Sequence, residues 1–168
     1  MSPTHALSPT LTYRRIDPVK DAALAARHHY EACVASFGDD TRYEGREKYL
    51  AWLKRQVEQY PDGCVLAFEK DRCVGQMELQ VPYGLTAGYV NLYYVAPEFR
   101  GRGYGTLMHA YADRYFRSWE AGRVELHVSP TNERAVRFYW KMGYRLVAAD
   151  EDPMTRLWKM AKVLADVG

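Results

Sequence analysis

The sequence predicts an α/β fold in which one mixed central sheet is covered by helices. Three observations carry that prediction. Apolar spacing alternates along the chain between the two-residue period of strands and the 3.6-residue period of helices. Turn and cap signals such as Asp17-Pro18, Pro61-Asp62-Gly63 and Gly143 fall where the period changes. The 168 residues, 48% of them hydrophobic and 26% charged, suit one domain that buries roughly two-thirds of the surface its unfolded chain exposes.

Residues 1–10 carry two Ser-Pro steps and read as a loose arm ahead of a single domain over 11–168. Leu11–Ile16 is a first strand. Asp17-Pro18 then reads as helix cap and first helical residue, because Asp accepts orphan N–H bonds and Pro has none to lose. That helix extends to about Ala35, with Val19, Ala23, Ala26, Tyr30 and Cys33 on one stripe. Thr41-x-x-Glu44 is the pattern of a capping box for a second helix, in which Tyr49, Leu50, Leu53 and Val57 keep helical spacing. Strands follow at Cys64–Glu69 and Cys73–Val81, joined as a hairpin, then a loop over Pro82–Gly88 and a strand over Tyr89–Val95. Helical spacing returns from Gly103 to about Trp119, with Leu107, Met108, Tyr111, Ala112 and Tyr115 inward. Arg123–Val128 alternates as a strand, Asn132–Met142 reads as a short helix closed by Gly143, and Tyr144–Ala149 and Met154–Met160 finish as strands.

Composition excludes several functions. A net charge of +2 gives no footprint for nucleic acid. No apolar run approaches the length of about 18 residues that a membrane span needs, and the N-terminal stretch lacks the basic-then-apolar order of a signal peptide. A cytoplasmic protein is therefore expected. Cys33, Cys64 and Cys73 form no CxxC pair and read as reduced thiols. No tight histidine spacing occurs, so no metal site is expected.

The most informative segment is Tyr93-Tyr94-Val95-Ala96-Pro97-Glu98-Phe99-Arg100-Gly101-Arg102-Gly103-Tyr104-Gly105-Thr106. A strand ends at Pro97, a Gly-rich turn follows, and a helix begins at once. Alternate glycines fold the backbone so that several N–H groups point into one concavity, and the helix adds its own free N–H groups and positive dipole end. Such a site suits a diphosphate, with Arg100 and Arg102 as added cations. A dinucleotide fingerprint would need Gly at position 106, where this chain has Thr. A triphosphate-binding loop would need Gly-Lys-Ser/Thr, and no Lys follows Gly105.

The turn has a companion, Asn132-x-x-Ala135-x-x-Phe138-Tyr139-x-x-x-Gly143-Tyr144. Together the two blocks resemble the GCN5-related N-acetyltransferase (GNAT) superfamily, densely over residues 89–147 and in element order over about 11–160. The resemblance implies a mostly antiparallel mixed sheet of six to seven strands with helices on both faces. It also implies transfer of an acetyl group from acetyl-CoA to a primary amine by direct attack within a ternary complex. The amides from Gly101 to Thr106, Gly103, Tyr104 and Gly105 among them, would then hold the coenzyme A pyrophosphate. The main chain of Val95 would pair with the pantetheine arm, which Asn132 would also touch, either instead of capping a helix or as well as capping one. The N–H of Tyr93 would polarise the acetyl carbonyl, a kind of contact that contributes roughly 3–4 kcal/mol in other enzymes.

Tyr139 corresponds to the usual proton donor to the leaving thiolate. A phenol with a pKa near 10 stays neutral at pH 7 and can protonate that thiolate. The base is less determined. Where some members carry Glu on the strand before the turn, this chain has Tyr89, with Asn91 nearby. Where others carry Glu five residues before the Asn, it has His127, whose imidazole, with an ordinary pKa near 6.5, suits the task. Glu78 and Glu125 are rivals, and selection of free amine from solution is another route. Within Ser36–Gly45, Asp39, Asp40, Tyr43 and Glu44 are candidates to attract a cationic amine, against the plainer reading of a solvated capping loop. A non-catalytic acyl-CoA-binding sensor or interaction module is the alternative to an enzyme. The resemblance leaves a homodimer open.

Overall fold

The computed structural model describes residues 9–82, 86–149 and 156–165. Its elements run β1 (Thr12–Arg15), α1 (Ala22–Phe37), α2 (Arg46–Gln59), β2 (Cys64–Glu69), β3 (Arg72–Gln80), β4 (Ala87–Val95), a 3₁₀ turn (Pro97–Phe99), α3 (Tyr104–Ser118), β5 (Arg123–Val128), α4 (Glu133–Lys141), β6 (Arg145–Ala149) and β7 (Trp158–Val163). The sheet has seven strands in the order β1-β2-β3-β4-β5-β7-β6. β4 and β5 are parallel; the other neighbours are antiparallel. Among the described residues no helix is long and apolar enough to cross a membrane. The first eight residues, read as the loose arm, lie outside the described residues.

Both faces of the sheet are covered, and the strand period shows how. In β2, Val65 and Ala67 join a core with Met108, Ala112, Tyr115 and Phe116 of α3 and Tyr139 of α4. Their neighbours Cys64 and Leu66 join the opposite core with Ala25 and Ala26 of α1 and Tyr49 and Leu53 of α2. Burying each such aliphatic or aromatic side chain contributes roughly 1.5–3 kcal/mol.

The sheet opens between its two parallel strands. β4 pairs with β5 only over Ala87–Val90 against Arg123–Leu126. Beyond that, β4 stays with β3, while His127 and Val128 stay with β7. The opening begins at a bulge: Glu78 pairs with Leu92 and Leu79 with Val90, so Asn91 is the extra residue. The wedge between Asn91–Val95 and the end of β5 is where a cleft forms.

Four expectations about elements need correction. α1 begins at Ala22, not at Pro18, and Asp21 is its cap residue. The Asp17 carboxylate does accept N–H bonds, from Val19 at 2.9 Å and Lys20 at 3.0 Å, but in a turn that precedes the helix. The buried side of α1 is therefore Ala25, Ala26 and His28, and Val19 is 83% exposed. Thr41-x-x-Glu44 is not a capping box, since α2 begins at Arg46 behind Gly45. Gly45 has φ +103°, which takes the chain off a helical path, and Thr41 is held instead by Asp39. The last strand spans Trp158–Val163 because it registers against all of β5; Met154 and Thr155 lie outside the described residues.

Candidate active site

Two clefts meet in the wedge. The first, about 370 Å³, is lined by Val95, Arg100, Gly101, Gly103, Tyr104, Gly105 and Thr106 of the turn and by Arg134, Phe138 and Tyr139 of α4. The second, about 360 Å³, lies between α1, the end of β4 and the end of β5, with His29, Tyr89, Asn91, His127 and Asn132 in its wall. Tyr93, Val95, Arg100, Arg134, Ala135 and Tyr139 border both. The wedge thus joins a Gly-rich turn at one end to titratable side chains at the other.

The turn has the geometry and polarity that suit an anion. Gly101 and Gly103 have φ of +75° and +86°, a region that an L side chain enters at a cost of roughly 1–2 kcal/mol. Gly103 is the cap residue of α3, no side chain caps the helix, and its first turn holds no acidic residue. The first N–H groups of a 15-residue helix therefore face the cleft with the dipole's positive end. Arg100 is anchored by a 2.8 Å bond from Nε to the Val95 carbonyl and lies over the Tyr94 ring. This bond ties the end of β4 to the turn. Arg102 is exposed and outside both cleft walls. Gly105 has a packing role: a Cβ there would sit 3.2 Å from the Phe138 ring, so its small size lets α3 and α4 approach.

Tyr139 is 9% exposed and stands in an aromatic cluster with Tyr93, Phe138 and Tyr144, its ring centroid 6.1 Å from that of Tyr93. Burial, with a smaller contribution from Tyr89, pushes its pKa well above 10. The hydroxyl is neutral over the whole physiological range. The side chain of Tyr93 belongs to the same cluster, and its buried hydroxyl has no hydrogen-bond partner among the described residues.

The candidate bases separate. His127 is exposed at the end of β5, and its Nδ1 lies 2.8 Å from the Tyr89 hydroxyl. The two positions at which the sequence lacks a Glu thus touch one another. Glu125 is engaged by Arg123 and Lys159. Glu78 is 1% exposed and accepts from Tyr49, Gln76 and Asn91. In the loop before α2, Asp39 holds Thr41 and Asp40 accepts from Tyr30. Only Glu44 of the loop's acids reaches the second cleft, so Asp39 and Asp40 serve the loop. Asn132 caps α4, accepting from the Ala135 N–H at 3.4 Å, and lines the second cleft as well.

Residues 24–144 match the model of the acetyltransferase (GNAT) family. The chain belongs to that family. A mycothiol acetyltransferase from Mycolicibacterium vanbaalenii is 36% identical over 106 residues, which cover 58% of this chain and 35% of that protein. The chain thus spans about a third of the length of that relative. Among solved structures, the PaiA N-acetyltransferase of Thermoplasma acidophilum in complex with coenzyme A superposes with a TM-score of 0.74 at 18% identity, covering 92% of this chain and 99% of that one. Spermidine N-acetyltransferase from Vibrio cholerae, in complex with CoA and spermine, gives 0.72 at 18% identity, covering 92% and 95%.

The GNAT match begins in α1 and ends at Tyr144, so it encloses the turn, the bulge and α4. Two cleft features of this GNAT chain escape sequence reasoning. Arg134 and Phe138 sit in the first cleft wall, although the Asn132 block that contains them was legible. Asn91 is the bulge residue and bonds Glu78; the available signal was an acid between Met77 and Leu79 in a strand buried along most of its length.

Proposed function

We propose that this chain is an acetyl-CoA-dependent N-acetyltransferase of a single domain over 11–168 that acts on primary amines in the cytoplasm. The observation that carries the reading is the junction of the two clefts at Tyr93, Val95 and Tyr139. The turn amides from Gly101 to Thr106 and the N-terminus of α3 take the pyrophosphate, with Arg100 beside them. The Val95 main chain pairs with the pantetheine arm, and the Tyr93 N–H donates to the thioester carbonyl. The acceptor amine enters through the second cleft.

In the tautomer whose Nδ1–H donates to Tyr89, His127 carries its lone pair on Nε2. That nitrogen takes a proton from the amine. Once that proton has passed to solvent, the amine nitrogen forms a bond to the carbonyl carbon and gives its next proton to His127, the carbon–sulfur bond breaks, and Tyr139 gives its proton to the departing thiolate. Solvent then reprotonates Tyr139. The products are the N-acetyl amine and free coenzyme A.

The test is thiol release from acetyl-CoA with spermine, phenethylamine and a peptide bearing a free N-terminus. Release above the hydrolysis background with at least one amine is the expected result. Binding of acetyl-CoA with no release from any amine would favour a non-catalytic sensor. For His127→Ala, kcat is expected to fall about 100-fold with loss of the acidic limb of its pH profile; an unchanged limb would remove His127 from the mechanism.

A further inference from the structure

We infer that the acceptor amine is held by the side-chain carbonyl of Asn91, and that the buried carboxylate of Glu78 sets the direction in which that carbonyl faces. This deepens the transfer reading and rests on it. Asn91 is the extra residue of the β4 bulge, at the point where the sheet opens, and it lines the second cleft together with His127 and Tyr139.

The hydrogen-bond directions around Glu78 leave little freedom. Glu78 Oε1 accepts from the Tyr49 hydroxyl at 2.5 Å and from Gln76 Nε2 at 3.0 Å. Oε2 accepts from Asn91 Nδ2 at 2.8 Å. Gln76 Nε2 also donates to the Tyr49 oxygen at 2.9 Å, and Gln76 Oε1 lies 3.0 Å from His28 Nδ1. In the Nδ1–H tautomer His28 donates to Gln76 Oε1 and so holds the Gln76 amide from its far end, and the Tyr49 proton has Glu78 as its acceptor. Burial pushes the Glu78 pKa up and the three donors pull it back; each neighbour donates to it, which is how a carboxylate acceptor is held in place. Asn91 must turn Nδ2 inward, and its Oδ1 is the end left for the cleft.

A carbonyl oxygen turned to the cleft by the bond from Asn91 to Glu78 suits one class of acceptor. An amine arriving as ammonium brings three N–H donors and a positive charge, and no acceptor. A carbonyl oxygen at that point offers no donor to a carboxylate or phosphate and accepts from an ammonium. The same group then releases its proton toward His127 on the opposite side of the wedge. Asn91 is the binding residue here and Glu78 a positioning residue.

Glu78→Gln tests this because it keeps shape and reverses direction. To keep accepting from Tyr49 and Gln76, Gln at position 78 must present its own amide hydrogens to Asn91. Asn91 then flips, and its N–H donors meet the amine's donors. The expected result is an amine KM raised about tenfold for spermine and phenethylamine, with the acetyl-CoA KM and the melting temperature close to wild type. Asn91→Leu, at an exposed position, is expected to raise the amine KM similarly. The double variant Glu78→Gln/Asn91→Asp restores an acceptor to the cleft and is expected to recover most of the loss. An unaltered amine KM in both single variants, or a loss that the double variant does not recover, would overturn the assignment and leave the transfer reading intact. If wild-type protein binds acetyl-CoA yet transfers to none of the amine probes, both readings fall together.

Discussion

Burial keeps the Tyr139 hydroxyl protonated and at the same time makes it a weaker acid. Its pKa lies well above 10 because the phenolate would be poorly solvated among Tyr93, Phe138 and Tyr144. On the proposed mechanism the proton is therefore present when the thiolate forms, and no basic limb of the rate profile belongs to Tyr139 below pH 10. Tyr139→Phe keeps the aromatic packing and removes the proton. The expected outcome in steady-state kinetics is a kcat lower by about 100-fold, with little change in the acetyl-CoA KM or in melting temperature. A kcat within threefold of wild type would assign the proton to water instead. His127 depends in a different way on its neighbour. The 2.8 Å contact with Tyr89 orients the ring, and on the proposed mechanism the Tyr89 hydroxyl accepts from Nδ1–H, so Tyr89→Phe should lower kcat several-fold while leaving the acidic limb in place, since the imidazole itself remains.

The wedge exists because two strands part at a defined residue, and small side chains keep their paired ends close. At Gly88, within the paired stretch of β4 and β5, an added Cβ would lie 2.2 Å from the Phe116 ring. Phe116 is fully buried in the core under α3 and cannot withdraw without opening that core. Gly88→Ala should therefore cost roughly 1–3 kcal/mol in a urea unfolding series, and it should widen the wedge and raise the acetyl-CoA KM. Much of this arrangement was legible in the sequence. Alternation in Arg123–Val128 placed His127 opposite buried Val124, Leu126 and Val128, and the turn from Val95 to Thr106 announced its own anion site. Where local signals compete with backbone geometry, they misled: Thr41 and Glu44 have the right spacing, but Gly45 intervenes with a φ that no helix contains. The Glu78–Asn91 bond was illegible because a bulge changes register through pairing with β3, and no local pattern encodes it.

Beyond the wedge, both layers of the fold share one response to acid. His28 on α1 is buried against Gln76 and Tyr94, and His29 is stacked on Tyr49. On the other face, His109 of α3 packs against Tyr93, Phe138 and Tyr144 and lies beside Asp113 and Lys162. Burial lowers the pKa of all three below the ordinary 6.5. The unfolded chain therefore binds protons from about pH 6.5 downward that the folded chain refuses, and stability falls with pH until the folded-state values are reached. Each proton taken up by the unfolded chain alone lowers the unfolding free energy by about 1.4 kcal/mol per pH unit at most. Because the histidines sit on opposite faces of one sheet, proton uptake requires both cores to open, and the loss should appear as a single cooperative transition. The carboxylate of Asp21, held low by Arg14 and the Asp17 N–H, loses its contribution in a separate window, below 3.8. Urea unfolding at pH 7.5, 6.5 and 5.5 should give a free energy that falls through the lower half of that range, with a shallower fall in His28→Gln. Equal stability at pH 7.5 and 5.5 would mean that these rings are protonated in place, and that the cores around them admit charge.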